Sequence, residues 1–211
     1  MGFPNKSLRG FDQALREKFN SEFLIGVDEA GRGPLAGPVL VAAVCLNDNA
    51  SSYLLQARDS KTLSPQKREE ISLLIRKHAL HISVAWATPS EIDRLNIFKA
   101  TLSAMLRASQ KVSRLKKAPV IVDGPFAIPG FSDQQMPIIK GDQKSLAIAC
   151  ASIIAKVTRD HWMMRLERRY PGYGFARNKG YGTQFHRQAL SRLGHSNAHR
   201  KSYAPVAALI K

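Results

Sequence analysis

Residues 23–28 read FLIGVD and run into the glycine-rich stretch GRGPLAGP at 31–38, and this pairing decides the architecture. An apolar run closed by an acid reads as a buried strand, and the glycines and prolines after it force a turn. Working outward, VLVAAVCL (39–46) is a second apolar run of strand length, and HISVAWA (81–87) alternates as a strand does. VIVD (120–123) is a further buried strand stopped by Gly124 and Pro125, and Met136 to Lys140 reads as a short strand or extended loop. Ser64 and Pro65 open a helix, SPQKREEISLLIRKHA, with serine as N-cap and proline in the first turn. Helical spacing of Ile92, Leu95, Phe98, Leu102, Met105 and Leu106 predicts one helix from Pro89 to about Lys111. A long helix is expected from about Lys144 to Arg169, then a glycine/tyrosine loop, a short helix near Phe185 to Leu193, and a basic tail. Strands and helices mixed in this way imply a layered α/β sheet with a helical, basic C-terminal part.

The chain has 211 residues, 44% hydrophobic and 23% charged, which excludes disordered, collagenous and low-complexity classes. A chain of this length buries about 70% of the surface its unfolded form exposes, enough for a real core. No run approaches the ~20 apolar residues of a membrane span, and the N-terminal stretch has no apolar signal core, so a cytoplasmic protein is expected. Cys45 and Cys150 both sit in apolar runs, as buried free thiols do.

Charge points to the partner. Lys and Arg number 32 against 16 acids, a net charge of +16. Between Lys156 and Lys211 there are twelve basic residues and two acids, Asp160 and Glu167, so this segment alone carries 12 − 2 = +10. Tyr170, Tyr173, Phe175, Tyr181, Phe185 and Tyr203 are interleaved there. Cations for phosphates beside rings for sugars or bases suit a nucleic-acid groove. The charge does not lie along one amphipathic helix, which disfavours a membrane surface.

Four acids are placed unusually for so basic a chain. Asp28 and Glu29 end the first buried strand and Asp123 ends another, and α/β sheets gather functional groups at the carboxyl ends of strands. Taken singly, each aspartate also fits a turn cap. On the long helix, steps of three and four from Leu146 through Cys150, Ile153 and Val157 put Asp160, and then Met164, on the core-facing stripe. A carboxylate there needs a partner, Lys156 or Arg159, or a cation. Clustered carboxylates repel unless a hard cation lies between them, and Mg²⁺ prefers such oxygens. Asp28 and Glu29, being adjacent, are expected to meet one site only if the strand ends or bulges at Glu29. Two-metal phosphoryl hydrolysis is the chemistry that fits.

The chain resembles bacterial ribonuclease HII. The resemblance rests on GVDEAGRGPLAGPV (26–39), DSKTLSPQKR (59–68), EIDRLNIFKAT (91–101), VIVDG (120–124), IIKGDQKS (138–145), ASIIAKVTRD (151–160), YGFARNKGYGT (173–183) and HRKSYAPV (199–206). It implies a ribonuclease H-like fold, a mixed sheet flanked by helices, over residues 23–211, with residues 1–22 as an N-terminal extension. It implies Mg²⁺- or Mn²⁺-dependent endonucleolytic cleavage of RNA in RNA–DNA hybrids and 5′ to single ribonucleotides embedded in duplex DNA. The ends left are a 3′-hydroxyl and a 5′-phosphate. The family's catalytic, metal-holding acids map onto Asp28, Glu29, Asp123 and Asp160. Gly31, Arg32 and Gly33 match the loop that reads the ribose 2′-hydroxyl through its backbone. Tyr181 matches the tyrosine that stacks on the deoxyribose just 3′ of the ribonucleotide, and Lys61, Lys140 and Lys179 become phosphate contacts.

His186, His195 and His199 have no further soft ligand at zinc spacing, so structural hydrogen bonding is expected of them. The sister ribonuclease HIII family carries an additional N-terminal substrate-binding domain and a glutamate in its acidic set; about 22 residues precede the first strand here and the fourth acid is Asp160, so that family is not expected. A non-catalytic basic binding protein would explain the charge but not acids at two strand ends. A monomer is expected, and nothing in the sequence supports a replication-clamp partner.

Overall fold

The structure, a computed structural model, describes residues 7–57 and 63–210. Five strands, β1 (Leu24–Ala30), β2 (Val39–Leu46), β3 (His81–Ala87), β4 (Val120–Asp123) and β5 (Gln135–Ile138), form one sheet in the order β3-β2-β1-β4-β5. β1, β2 and β3 pair antiparallel, whereas β4 and β5 run parallel to β1, so the sheet is mixed. The helices are α1 (Leu8–Phe19), α2 (Asp48–Tyr53), α3 (Pro65–His78), α4 (Pro89–Leu95), α5 (Ile97–Leu115), α6 (Leu146–Arg169), α7 (Phe175–Asn178), α8 (Gln184–Leu193) and α9 (Ala204–Ala207).

Alternation along β1 divides the core. Ile25 and Val27 join a cluster with Ala100, Ala104, Met105 and Ala108 of α5 on one face. Leu24 packs with Leu146, Ala147, Cys150 and Ile153 of α6 and with Ile71 and Ile75 of α3 on the other. The first six residues of α6, 146–151, are apolar on every side and wholly buried, as the start of a helix crossing the middle of a domain must be. It also lies unusually close to the sheet. A Cβ at Gly26 would overlap the carbonyl of Ala147 and the amide of Ile148, so only glycine admits this approach.

Three expectations need correction. The apolar periodicity from Pro89 onward spans two helices, because Asn96 takes a left-handed φ of 67° between them. Its side chain accepts from Lys99 N at 3.0 Å and so caps α5. Asparagine tolerates that conformation and caps well, and both helices bury the same face, which hides the break. On α6 the buried stripe shifts after Val157: Met164 is 41% exposed, while Arg159 and Met163 are fully buried. The reason is a change of neighbour, since Met163 packs against Tyr173 and Phe175 and not against the sheet. Asp160 is therefore partly exposed, 19% at its side chain, and no longer faces the core. Third, Tyr173 and Phe175 are core residues of that C-terminal cluster, so they offer no open rings; Tyr181 and Phe185 remain exposed.

Within residues 1–22 lies helix α1, capped by Ser7, with Leu15 fully buried against the α6 face. Its Asp12 carboxylate accepts from Ala147 N at 2.9 Å, at the start of α6. The strand at 135–138 and the cap at Ser64, whose Oγ accepts from Lys67 N at 3.1 Å, agree with the reading above.

Because Gly26 sets the spacing between β1 and α6, Gly26→Ala should cost about 3 kcal/mol or more, at or beyond the usual range for core overpacking. Urea denaturation measures this, and a loss below about 1 kcal/mol would mean that the helix yields easily.

Candidate active site

β1 does not stop at Asp28. It pairs on through Glu29 and Ala30, opposite Val41 and Leu40, with no bulge. The two acids therefore point to opposite faces, Asp28 toward α6 and Glu29 toward α5. β4 brings them to one place. Val27 sits opposite Val122 in the parallel pairing, so Asp123 stands beside Asp28 at the carboxyl ends of both strands. β4 ends there, and Glu29, lying past that end, lines a cleft together with Asp123.

The carboxylates repel one another in a dry setting. Asp28 is 5% exposed, and its carboxyl is held well above the usual range by burial first, then by the charges of Glu29 and Asp123. Ser152 of α6 and the Glu29 amide, at 2.7 Å, donate to Asp28 and oppose that rise. Glu29 is likewise raised, chiefly by burial and also by Asp123, against the pull of Arg32 at 3.5 Å. Asp123 accepts from Gly141 N at 2.6 Å, and Asp160 is paired with Lys156 at 2.7 Å.

Among the described residues no three carboxylate, imidazole or thiolate side chains already stand at metal-holding geometry. Glu29 and Asp160 are held instead by Arg32 and Lys156. The donor chemistry nevertheless suits a hard divalent cation: all oxygen, buried at Asp28 and half-buried elsewhere, and mutually repelling until positive charge enters.

Two clefts meet at Glu29. The larger, about 340 Å³, is lined by Gly31, Arg68, Ser152, Lys156, Arg159 and Tyr181. The smaller, about 110 Å³, runs past Arg32, Asp123, Phe98 and Phe126 on the α5 side. The Gly31–Gly33 turn and Tyr181 stand together: a Cβ on Gly33 would lie 3.8 Å from the Tyr181 ring. The loop carrying Tyr181 is tied to the turn by Leu35 N donating to Gly180 O at 2.8 Å. Lys140 is exposed beside Gly141, and Lys179 is half-buried two residues before Tyr181. Lys61 lies outside the described residues. Sequence reasoning missed Ser152 as the support of Asp28, and Arg159 and Arg200 as the supports of the turn. No spacing signals any of them, since each acts across a tertiary contact.

His186 and His199 form a directed relay, not a metal pair. His186 Nδ1 lies 2.9 Å from Tyr181 O and must donate to it; Ser196 N donates to His199 Nδ1 at 3.0 Å. The remaining contact, Nε2 to Nε2 at 3.0 Å, is then His199 donating to His186. Both rings are neutral in this arrangement. Burial, then the neighbouring His186, pushes His199 down to about 4.

The family model described as Ribonuclease HII matches residues 25–206. Ribonuclease HII of Geobacillus thermodenitrificans is 50% identical over 190 residues, spanning 88% of this chain and 70% of that protein. Ribonuclease HII of Dichelobacter nodosus is 50% identical over 190 residues, spanning 89% and 97% respectively. Among solved structures, the RNase HII of the PCNA:RNase HII complex from Archaeoglobus fulgidus superposes with a TM-score of 0.71 at 28% identity, covering 86% of this chain and 95% of that one. Bst-RNase HIII in complex with Mn²⁺ shares the fold, with a TM-score of 0.76 at 19% identity over 89% and 69%.

Removing one repelling carboxylate should stabilise the protein free of metal. Asp28→Asn is expected to raise stability by about 1–2 kcal/mol, or ~3–6 °C at this chain length, and an unchanged or lower Tm by calorimetry would contradict the repulsion. The histidine relay gives the opposite kind of test. A group depressed on folding adds stability above its unfolded pKa of about 6.5 and loses it as pH falls toward the folded value. Stability should thus drop between pH 6.5 and 4, and His199→Gln should flatten that slope; parallel curves for the two proteins would remove the relay from the account.

Proposed function

The chain belongs to the ribonuclease HII family and is an endoribonuclease acting on RNA–DNA hybrids, and from that premise we propose that it cuts 5′ to ribonucleotides, including single ones embedded in duplex DNA. The observation that supports this most is the meeting of Asp28, Glu29 and Asp123 at the ends of β1 and β4, beside a turn that faces Tyr181.

Asp28, Glu29, Asp123 and Asp160 would hold two divalent cations, Mg²⁺ or Mn²⁺, which when bound supply a more acidic water and charge neutralisation at the scissile phosphate. The residues themselves do the positioning. Ser152 and the Glu29 amide hold the Asp28 carboxylate, and Gly141 N holds that of Asp123. Arg32 and Lys156, now paired with Glu29 and Asp160, are cations close enough to the acids to meet the phosphates of an incoming strand. Lys140 and Lys179 extend that surface, and the net charge of +16 draws the duplex in.

Specificity comes from the ribose. Gly31, Arg32 and Gly33 present backbone groups to a 2′-hydroxyl, which is both donor and acceptor. Tyr181, 48% exposed, offers its ring to the deoxyribose 3′ of the ribonucleotide. In the hydrolysis a water oxygen bonds to phosphorus as the P–O3′ bond breaks. The upstream strand leaves with a 3′-hydroxyl, and the ribonucleotide keeps the 5′-phosphate.

A DNA duplex with one ribonucleotide tests the reading, run with Mg²⁺, Mn²⁺ and EDTA beside all-DNA and all-RNA duplexes. One metal-dependent cut 5′ to the ribonucleotide is expected, with Asp123→Asn keeping duplex affinity and losing about 10³-fold or more in turnover. Tight binding with no cut would point to a basic binding protein, and preserved turnover would take Asp123 out of the site.

A further inference from the structure

The turn after β1 faces its carbonyls inward, onto two buried arginines. Arg200 donates from Nη2 to Gly31 O at 2.5 Å, from Nη1 to Arg32 O at 2.7 Å and from Nε to Gly37 O at 3.0 Å. Tyr203 Oη donates to the same Arg32 oxygen at 2.6 Å and accepts from Arg200 Nη1 at 3.0 Å. From α6, Arg159 donates to Pro38 O and Ala36 O, both at 3.2 Å. Neither arginine has exposed surface, and neither is paired with a carboxylate among the described residues.

Two buried like charges held without a carboxylate among the described residues are an expensive way to pin a loop, because apolar side chains would pack it as well. Burial lowers both guanidiniums, and the charge of Arg200 lowers Arg159 further, yet arginine stays protonated near neutrality. The arrangement makes sense at the level of single peptide groups. The carbonyl of Gly31 and the N–H of Arg32 belong to one planar trans unit, and so do the carbonyl of Arg32 and the N–H of Gly33. Pulling both oxygens inward aims both N–H groups outward, and those amides donate to no described residue. A carbonyl bonded to a cation also makes its own N–H a stronger donor. Gly31 is required here because a Cβ would overlap the Arg159 guanidinium.

We propose that Arg200, seconded by Tyr203, is a positioning and specificity-determining residue that orients and polarises the two peptide groups spanning Gly31 to Gly33 for the 2′-hydroxyl of the ribonucleotide. It rests on the reading of that turn given above and adds the residue that aims it. Arg200 touches no substrate, so its effect falls on turnover at ribose and not on duplex affinity. A lysine keeps the charge but cannot hold two neighbouring carbonyls with a rigid fork.

The test compares wild type with Arg200→Lys, Arg200→Met and Tyr203→Phe. Each is assayed for kcat and KM on a duplex with one ribonucleotide and for Kd on the same duplex in all-DNA form. Arg200→Lys is expected to lose about 10- to 100-fold in kcat, the range for charge-assisted hydrogen bonds, with Kd for DNA within about threefold. Arg200→Met should lose at least as much, and Tyr203→Phe about three- to tenfold. Wild-type kcat in a folded Arg200→Lys protein would overturn the proposal. Equal losses in cleavage and DNA binding would overturn it too, since Arg200 would then be a general support. Should the Arg200 variants not fold, Tyr203→Phe decides: a selective kcat loss supports the role, and an unchanged kcat removes it. A wild-type protein that cuts no ribonucleotide-containing duplex would instead refute the proposed function.

Discussion

The contact between Gly26 of β1 and the Ala147–Ile148 peptide of α6 is the constraint from which the rest follows. It presses the central helix onto the central strand, backbone against side-chain-free backbone. That closeness sets Ser152, five residues along α6 from Ala147, against Asp28, two residues along β1 from Gly26. It also sets where the far half of the helix emerges, and so where Lys156, Arg159 and Asp160 stand relative to the strand ends. Asp12 of α1 and the cap at Ser145 secure the start of the same helix. Helix position, not helix composition, thereby controls the acidic site.

The site is built from opposed electrostatic choices. On the acid side, three carboxylates crowd into a buried corner where two of them resist ionisation. On the turn side, two guanidiniums are buried without carboxylates to balance them. Each choice costs stability by itself. Each is also what a polyanionic substrate with divalent cations would relieve or exploit, the first by admitting positive charge, the second by backing the amides proposed to meet the ribose. Functional sites are where such local costs are tolerated.

The C-terminal segment, residues 170–210, is a brace as much as a binding surface. Its cluster of Tyr173, Phe175, Leu190 and Val206 holds the neutral histidine relay, and the relay fixes the carbonyl of Tyr181. The neighbouring Arg200 holds the turn after β1 from the same side. The two elements assigned to ribose and deoxyribose are thus fastened to one support, which keeps their spacing constant.

Much of this was legible in the residues. Apolar runs and alternation located β1 to β4, with β5 left between a short strand and an extended loop; acids at the ends of FLIGVD and VIVD marked the corner, and the glycines flanking Arg32 marked the turn. These signals are local, set by burial and backbone sterics over a few residues. The break at Asn96, the continuation of β1 through Ala30 and the rotation of the buried face of α6 were not legible, because each depends on which partner the element meets. Asp28 and Glu29 face apart, as adjacent strand residues do, and it is the end of β4, not the strand end or bulge expected at Glu29, that lets Glu29 share a site with Asp123. Arg159 looked like an ion-pair candidate for its neighbour Asp160, and Arg200 had no role at all. The sequence by itself thus determined the elements, the acids and the basic surface. Only the tertiary structure decided which charges are paired and which backbone groups are aimed, because those depend on distances between residues far apart in the chain.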